Sequence, residues 1–362
     1  IMTQDQALSI LKTGVNIFLT GEPGSGKTHT INQYVAYLRE HNIEPAITAS
    51  TGIAATHIGG MTIHSWSGIG IKSELTSRDL EFIAKTKYIT KRIEKAKVLI
   101  IDEVSMLDGK IFSMADAVCR KVLGVDKPFG GLQVVLVGDF FQLPPIARNG
   151  QNAQFAFQSE SWKEVDPAVC YLSEQHRQDD AELISILSAI RSNSLDNEHI
   201  FKLEARIEAS QNIPSDITKL YSHNANVDRV NNEALDRLSG KSVSFSMTAK
   251  GRDVIVASIK KSCLSPEELR LKEGAVVMFT KNSPQGKFVN GTLGRVEGFC
   301  KETGHPIVRT HDGYIIKATP MEWIVEENGK VLARIEQVPL RLAWAITIHK
   351  SQGTSLDTAV ID

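Results

Sequence analysis

The run Gly21-Glu22-Pro23-Gly24-Ser25-Gly26-Lys27-Thr28 holds the residue types needed to grip a chain of phosphates. Glycines at 21, 24 and 26 let the backbone curl so that its N–H groups face phosphate oxygens. A helix starting directly afterwards adds the partial positive charge of its N-terminus. Lys27 can reach the β- and γ-phosphates, and the Thr28 hydroxyl suits a Mg²⁺ ion. The spacing G-x-x-x-x-G-K-[ST] carries this meaning between a buried strand and a helix. Residues 16–20, an apolar run, read as that strand, and residues 30–40 read as the helix.

A second chemical signal lies at Lys97-Val98-Leu99-Ile100-Ile101-Asp102-Glu103, an apolar strand that ends in two adjacent carboxylates. Asp102 at the strand tip can hold the Mg²⁺ of a bound nucleotide, and Glu103 can polarise an attacking water as general base. Residues 132–139 read as another buried strand and lead into Phe140-Phe141-Gln142-Leu143-Pro144-Pro145. Gln142 can sense a γ-phosphate by hydrogen bonding, and Phe140 or Phe141 can face a base. Gln6, ahead of the first strand, can donate and accept at once, which suits an adenine edge as well as a plain surface position. The strand at 45–50 runs into Thr51 and Gly52, small residues that fit a nucleic-acid backbone or an ordinary strand-to-helix turn. His64 and Trp66 follow a glycine pair; bases stack on such rings at about 1–3 kcal/mol each, and core aromatics under a loop give the same pattern.

The elements that position these groups alternate strand and helix, which indicates a parallel α/β sheet with ligands at the carboxyl ends of its strands. A helix over residues 3–12 opens on Thr3. An amphipathic helix over 179–193 has Leu183, Ile186, Leu187 and Ile190 on one face. Residues 217–222 begin a second α/β unit with a helix over 227–238. Strands at 274–282, 288–296, 307–310, 314–317 and 322–325, with turns at Asn290-Gly291 and Asp312-Gly313, read as a small antiparallel barrel. Residues 340–348 are expected to return to helix, and 357–362 to form a strand.

Composition narrows the class. The chain has 362 residues, 42% hydrophobic and 23% charged, with a formal net charge of −1. Any nucleic-acid site is therefore a local patch. Residues 151–216 hold twelve acids and five bases, whereas 241–287 hold nine bases and four acids, which suits a phosphate backbone or a solvated basic face. The four cysteines are isolated, so neither a zinc cluster nor a disulfide framework is expected. No membrane span and no targeting segment is visible, so a cytoplasmic protein, nucleoid-associated in a bacterium, is expected.

With these segments in order, the chain resembles superfamily 1B DNA helicases of the petite-integration-frequency (Pif) family over essentially its whole length. The resemblance rests on the phosphate loop, Thr48-Ala49-Ser50-Thr51-Gly52-Ile53-Ala54-Ala55, Gly60-Met61-Thr62-Ile63-His64-Ser65-Trp66 and Ile101-Asp102-Glu103-Val104-Ser105-Met106. It continues through Pro128-Phe129-Gly130-Gly131, Gly138-Asp139-Phe140-Phe141-Gln142-Leu143-Pro144-Pro145, His176-Arg177-Gln178, Val289-Asn290-Gly291 and Ile348-His349-Lys350-Ser351-Gln352-Gly353. The family's signature helix is matched from Asp180 to Arg191, with Leu183 or Ile184 where an aromatic is usual. The same ATP motifs occur in RecD- and Dda-like helicases; Pro128–Gly131 and the 180–191 helix favour the Pif family. A non-motor nucleotide-dependent DNA-binding switch is the alternative from another class.

The resemblance implies two RecA-like domains, at 1–195 and at 196–287 with 339–362, a short wedge at about 64–80, and an SH3-like barrel at 288–338. It implies ATP and Mg²⁺ as cofactors, with Gln6 on adenine and Lys27, Thr28, Asp102, Glu103, Gln142 and Arg177 around the phosphates and metal. Thr51, Gly52, His64, Phe140, Lys281, Asn290, His349 and Lys350 would line the DNA path, while Gln352 and Gly353 couple the two sites. The implied activity is 5′-to-3′ translocation on single-stranded DNA by a monomer that unwinds forked duplex and G-quadruplex DNA, in repair, recombination and telomere maintenance. The family's last motif, a helix bearing an arginine finger, is absent. The natural protein is therefore expected to continue beyond Asp362.

Overall fold

Along the strand that ends in the paired carboxylates, successive side chains enter two different cores. In the computed structural model, which describes residues 2–70, 72–145, 153–173, 181–209, 217–327, 330–352 and 358–361, Leu99 and Ile101 face one helical layer and Val98 and Ile100 the other. Val134 and Leu136 divide from Val135 and Val137 in the same way, and Phe18 from Ile17 and Leu19. Alternation with both faces buried is why these strands are unbroken apolar runs.

The chain divides into two units at 199/200, each described by itself. In the first, β1 (Ile17–Gly21), β2 (Ala46–Ala49), β3 (Met61–Thr62), β4 (Val98–Asp102), β5 (Gln133–Val137) and β6 (Ala168–Leu172) form one sheet. Its order is β3-β2-β4-β5-β1-β6, and every pairing is parallel. Helices α1 (Gln4–Leu11) and α2 (Lys27–Glu40) supply Leu11, Ile31, Tyr34 and Leu38 to one core. The other core takes residues from α4 (Ile63–Ser67), α5 (Ser77–Lys85), α6 (Lys87–Lys95), α7 (Gly109–Leu123) and α8 (Glu160–Val165), while α3 (Gly52–His57) packs against β2 and β3. Then follow α9 (Ala181–Arg191) and α10 (Asn197–Ala209), the latter crossing the division.

Thr3 caps α1 through a reciprocal capping box with Gln6, the start expected from sequence. The Pro128–Gly131 turn serves packing. Phe129 is fully buried at φ 49°, and its N–H donates to Asp116 of α7 at 2.6 Å. Gly130 has φ 65°, and a Cβ there would meet the Cys119 carbonyl at 2.9 Å. Only glycine allows both that conformation and that approach.

In the second unit, β7 (Lys219–Tyr221) is followed by β8 (Val243–Ser246), β9 (Thr248–Gly251), β10 (Glu268–Leu271), β11 (Val276–Phe279), β12 (Leu293–Phe299), β13 (Pro306–Thr310) and β14 (Ile315–Lys317). The series ends with β15 (Met321–Glu327), β16 (Lys330–Gln337), β17 (Leu340–Leu342), β18 (Ala345–Thr347) and β19 (Val360–Ile361). Its helices are α11 (Asn224–Arg237), α12 (Asp253–Ser262) and α13 (Ile348–Ser351). A parallel sheet, β18-β7-β19, stands apart from three antiparallel sheets, β14-β13-β12-β11-β17, β15-β16-β9 and β10-β8. The antiparallel strands thus begin at Val243 and end at Leu342, a wider span than 288–338, because β11 pairs with β12 and β9 with β16.

The helix expected over 340–348 is instead β17 and β18 up to Thr347, and only Ile348 is helical, as the first residue of α13. Leu340 pairs with Phe279 and Ile346 with Leu220, and both are fully buried. Asn231 of α11 clasps Ala345 at its carbonyl and its N–H, both at 2.9 Å. Pairing partners distant in sequence override the local helical preference of Leu, Arg and Ala.

Candidate nucleotide site

The phosphate loop leaves the carboxyl end of β1 and enters α2 at Gly26, whose φ is 87°. No side chain caps α2. The N–H groups of its first turn therefore face the loop, where phosphate oxygens accept from them. Ser25 is 1% exposed, and its Oγ has no hydrogen-bond partner among the described residues. Both features fit a polyphosphate, and exposed Thr28, in the first turn of α2, fits its metal. Lys27 Nζ donates to the carbonyls of Gly21 at 2.8 Å and Glu22 at 3.1 Å. Burial lowers its pKa, against the opposing pull of the Asp139 and Glu103 carboxylates.

Asp102 ends β4, and its Oδ1 accepts the Glu103 N–H at 2.8 Å. Burial raises the Asp102 pKa, opposed by that hydrogen bond and by Lys27. Glu103 sits at φ 51°, ψ 44°. A non-glycine residue there costs of order 1–3 kcal/mol and is concentrated at working sites. Gln142 N–H donates to the Asp139 carbonyl at 2.9 Å, so the turn after β5 closes on itself.

Asp139 has a larger part than its strand-end position suggested. It is 1% exposed and accepts from Arg191 at 2.6 Å, and from the Phe141 N–H at 3.1 Å. Arg191, the last residue of α9, also lies over the Phe141 ring at 4.3 Å. One turn earlier, Ser188 donates to the Glu22 carboxylate of the phosphate loop at 3.2 Å. Helix α9 therefore ties the phosphate loop to the Gln142 turn. Leu183, Leu187 and Ile190 are about half exposed (51%, 48% and 51%), and Ile186 is the buried member of the expected apolar face. Sequence reading placed Arg191 in the family signature without a role, because its partner lies 52 residues away.

Phe140 does not face outward to a base: it packs with Phe18, Phe155, Phe157 and Trp162, with ring centroids 4.8–5.7 Å apart. The chain alternates sides at the strand end, so Phe141, 71% exposed, is the outward ring. Trp66, 3% exposed, is likewise a core residue. Gln6 spends its amide oxygen on the Thr3 N–H at 3.0 Å, and Gln4 Nε2 approaches the Ser25 carbonyl at 3.4 Å.

Among the other DNA candidates, Thr51 accepts from the Ala54 N–H at 3.2 Å at the start of α3, beside Gly52. His64 is half-buried in α4. In the second unit, half-buried Lys281 donates to the Glu322 carbonyl and lies 4.9 Å over the Trp323 ring. Burial lowers its pKa. Asn290 is 6% exposed, and its N–H donates to Asn282 at 2.7 Å. His349 lies in α13, and Gln352 closes that helix. Arg177, Gly353 and the Lys350 side chain lie outside the described residues.

A phosphate loop with strand-tip carboxylates on a doubly covered parallel sheet defines a P-loop nucleotide-binding protein. A profile described as PIF1-like helicase matches residues 3–191, and one described as DNA helicase Pif1, 2B domain, matches 255–299. A curated ATP-dependent DNA helicase Pif1 from Psychrobacter sp. (strain PRwf-1) is 43% identical across 100% of this chain and 64% of its own length. The crystal structure of Bacteroides sp Pif1 in complex with ADP-AlF4 has a TM-score of 0.80 at 29% identity, covering 99% of this chain and 85% of that one. That of Pif1 helicase from Bacteroides in complex with ADP-AlF3 and ssDNA has a TM-score of 0.64 at 27% identity, covering 100% and 86%. The chain belongs to the Pif1-like helicase family. It spans 64% of the Psychrobacter relative and 56% of a Xenopus laevis relative. Among the described residues, no helix is long and apolar enough to cross a membrane.

Proposed function

We propose that this chain is the motor portion of an ATP-dependent DNA helicase that moves 5′ to 3′ on single-stranded DNA and opens forked duplex and G-quadruplex DNA. The observation that carries the reading is the gathering of Lys27, Asp102, Glu103 and Asp139 around one phosphate loop, so that each carboxylate acts on the lysine. Its Bacteroides relative, with ADP-AlF3 and ssDNA bound together, supports the same pairing of ligands here.

In this reading Lys27 and the first turn of α2 hold the phosphates, and Thr28 and Asp102 hold Mg²⁺, which supplies charge neutralisation when bound. Glu103 takes the proton of the attacking water. Gln142 and Arg177 contact the γ-phosphate, Gln6 reaches adenine through its amide NH₂, and Gln352 and Gly353 couple nucleotide binding to DNA binding. Thr51, Gly52, His64, Lys281, Asn290, His349 and Lys350 contact the strand, with Phe141 as the outward ring of its turn. The protein works as a monomer in the cytoplasm, on the nucleoid in a bacterium.

The test is ATP turnover with and without single-stranded DNA, followed by strand displacement from substrates with 5′ or 3′ tails. Turnover that rises with DNA, and displacement from the 5′-tailed substrate, are expected. Equal turnover with and without DNA refutes the motor reading in favour of a nucleotide-dependent switch. Displacement only from the 3′ tail refutes the polarity.

A further inference from the structure

Among the described residues, the buried cation Arg341 has no carboxylate in contact. It lies in β17 opposite Met278 and is 8% exposed. Among the described residues its Nε has no hydrogen-bond partner. The carboxylate that acts on it is Asp228, through space and without a hydrogen bond, and burial works against its charge. The neighbouring cations are already paired: Lys260 with Glu267 at 2.6 Å, and Arg270 with Asp236 at 3.2 Å.

Arg341 lines a cavity of about 330 Å³ between α11, the end of α12, β10 and β17. That volume lies at the lower end of the range of small-ligand pockets, about 300–1,000 Å³. A buried charge normally has a partner, because its desolvation is otherwise uncompensated. Here the described residues of the second unit supply none in contact, and the cavity gives an outside group access to the charge.

We propose that this cavity is a receptor for a single carboxylate from outside the chain, with Arg341 as its anchor. A guanidinium offers two parallel N–H donors that match a carboxylate's two oxygens. The walls argue against a nucleic-acid strand. Lys260, Arg270 and Arg341 are balanced there by Asp228, Glu267 and Glu268, so the lining carries no excess positive charge to hold a polyanion. One compact acid fits, whether a small molecule or an acidic side chain of a peptide.

The experiment is thermal melting of the whole chain at pH 7.5 in sodium acetate against sodium chloride at matched ionic strength. The wild type should show a saturable rise of about 2–4 °C specific to acetate. Arg341→Met should lose that rise and melt higher than wild type in chloride, since an apolar stem of similar length has no charge to desolvate. Asp228→Asn, an exposed change, should tighten the acetate midpoint several-fold by removing a competing negative charge; it keeps the test alive if Arg341→Met fails to fold. A capped peptide with one Asp, compared with its Asn counterpart, separates the sources. A response to acetate alone assigns a small acid, and a response to both assigns an acidic side chain. No acetate-specific rise in the wild type, an equal rise in Arg341→Met, or a weaker midpoint in Asp228→Asn overturns the proposal. A flatter salt dependence of single-stranded DNA affinity in Arg341→Met also overturns it, by giving Arg341 to a nucleic-acid phosphate.

Discussion

Replacing Arg191 with Met should destabilise the first unit and slow ATP turnover together. The pair it forms with Asp139 is short, 2.6 Å, and both side chains are sheltered, at 14% and 1% exposure. Removing one partner of a buried pair costs about 3–5 kcal/mol, because the other charge is left in a low-dielectric site. Asp139 keeps the Phe141 N–H at 3.1 Å and a longer contact to Gln142 Nε2 at 3.5 Å. The lower end, about 3 kcal/mol, is therefore expected, with about 0.5–1 kcal/mol more from the guanidinium over Phe141. For a unit of this size the combined loss of about 3.5–4 kcal/mol lowers Tm by roughly 7–16 °C. Denaturation of the wild type, Arg191→Met, Asp139→Asn and the double variant makes a cycle. The double variant should recover most of the loss, with a coupling of at least about 1.5 kcal/mol. Turnover falls because the Ser188 contact to Glu22 sits on the same helix. A loss below about 1 kcal/mol with no coupling would refute the reasoning, and full ATPase activity in a destabilised variant would separate the pair from the site.

Other outcomes follow from the same geometry. Glu103→Gln should retain nucleotide binding and lose about 10²–10⁴-fold in turnover, and unchanged turnover removes Glu103 as the base. Phe140→Ala should cost about 3 kcal/mol through its lost aromatic neighbours, whereas Phe141→Ala should leave stability within about 1 kcal/mol, as urea denaturation can check. Burial raises the folded-state pKa of Asp102, so its stabilising proton is lost as pH rises through that value. Asp102→Asn should match the wild type in Tm below about pH 3.9 and exceed it by an amount that grows up to the folded-state pKa and then levels off; a constant difference across the whole pH range contradicts this. Lys281→Ala should lower single-stranded DNA affinity evenly across sequences and flatten the salt slope by about 0.7, measured by anisotropy titration.

What the sequence by itself determined is the local part of the site. Strand, loop and helix around Lys27 are contiguous, and their apolar periodicity and glycine spacing report directly on backbone geometry. Asp102 and Glu103 were legible for the same reason, as the tip of a fully apolar run. The family resemblance also came from linear motifs. Tertiary structure decided the rest. Which of Phe140 and Phe141 turns inward depends on rings at 18, 155, 157 and 162, and no local pattern encodes that choice. Residues 340–342 and 345–347 have helix-forming composition and become strands because Phe279, Leu220 and their neighbours pair with them. The Arg191–Asp139 contact and the buried charge of Arg341 are statements about burial. Burial is set by how distant segments pack, and a charged residue has the same letter in water and in a core.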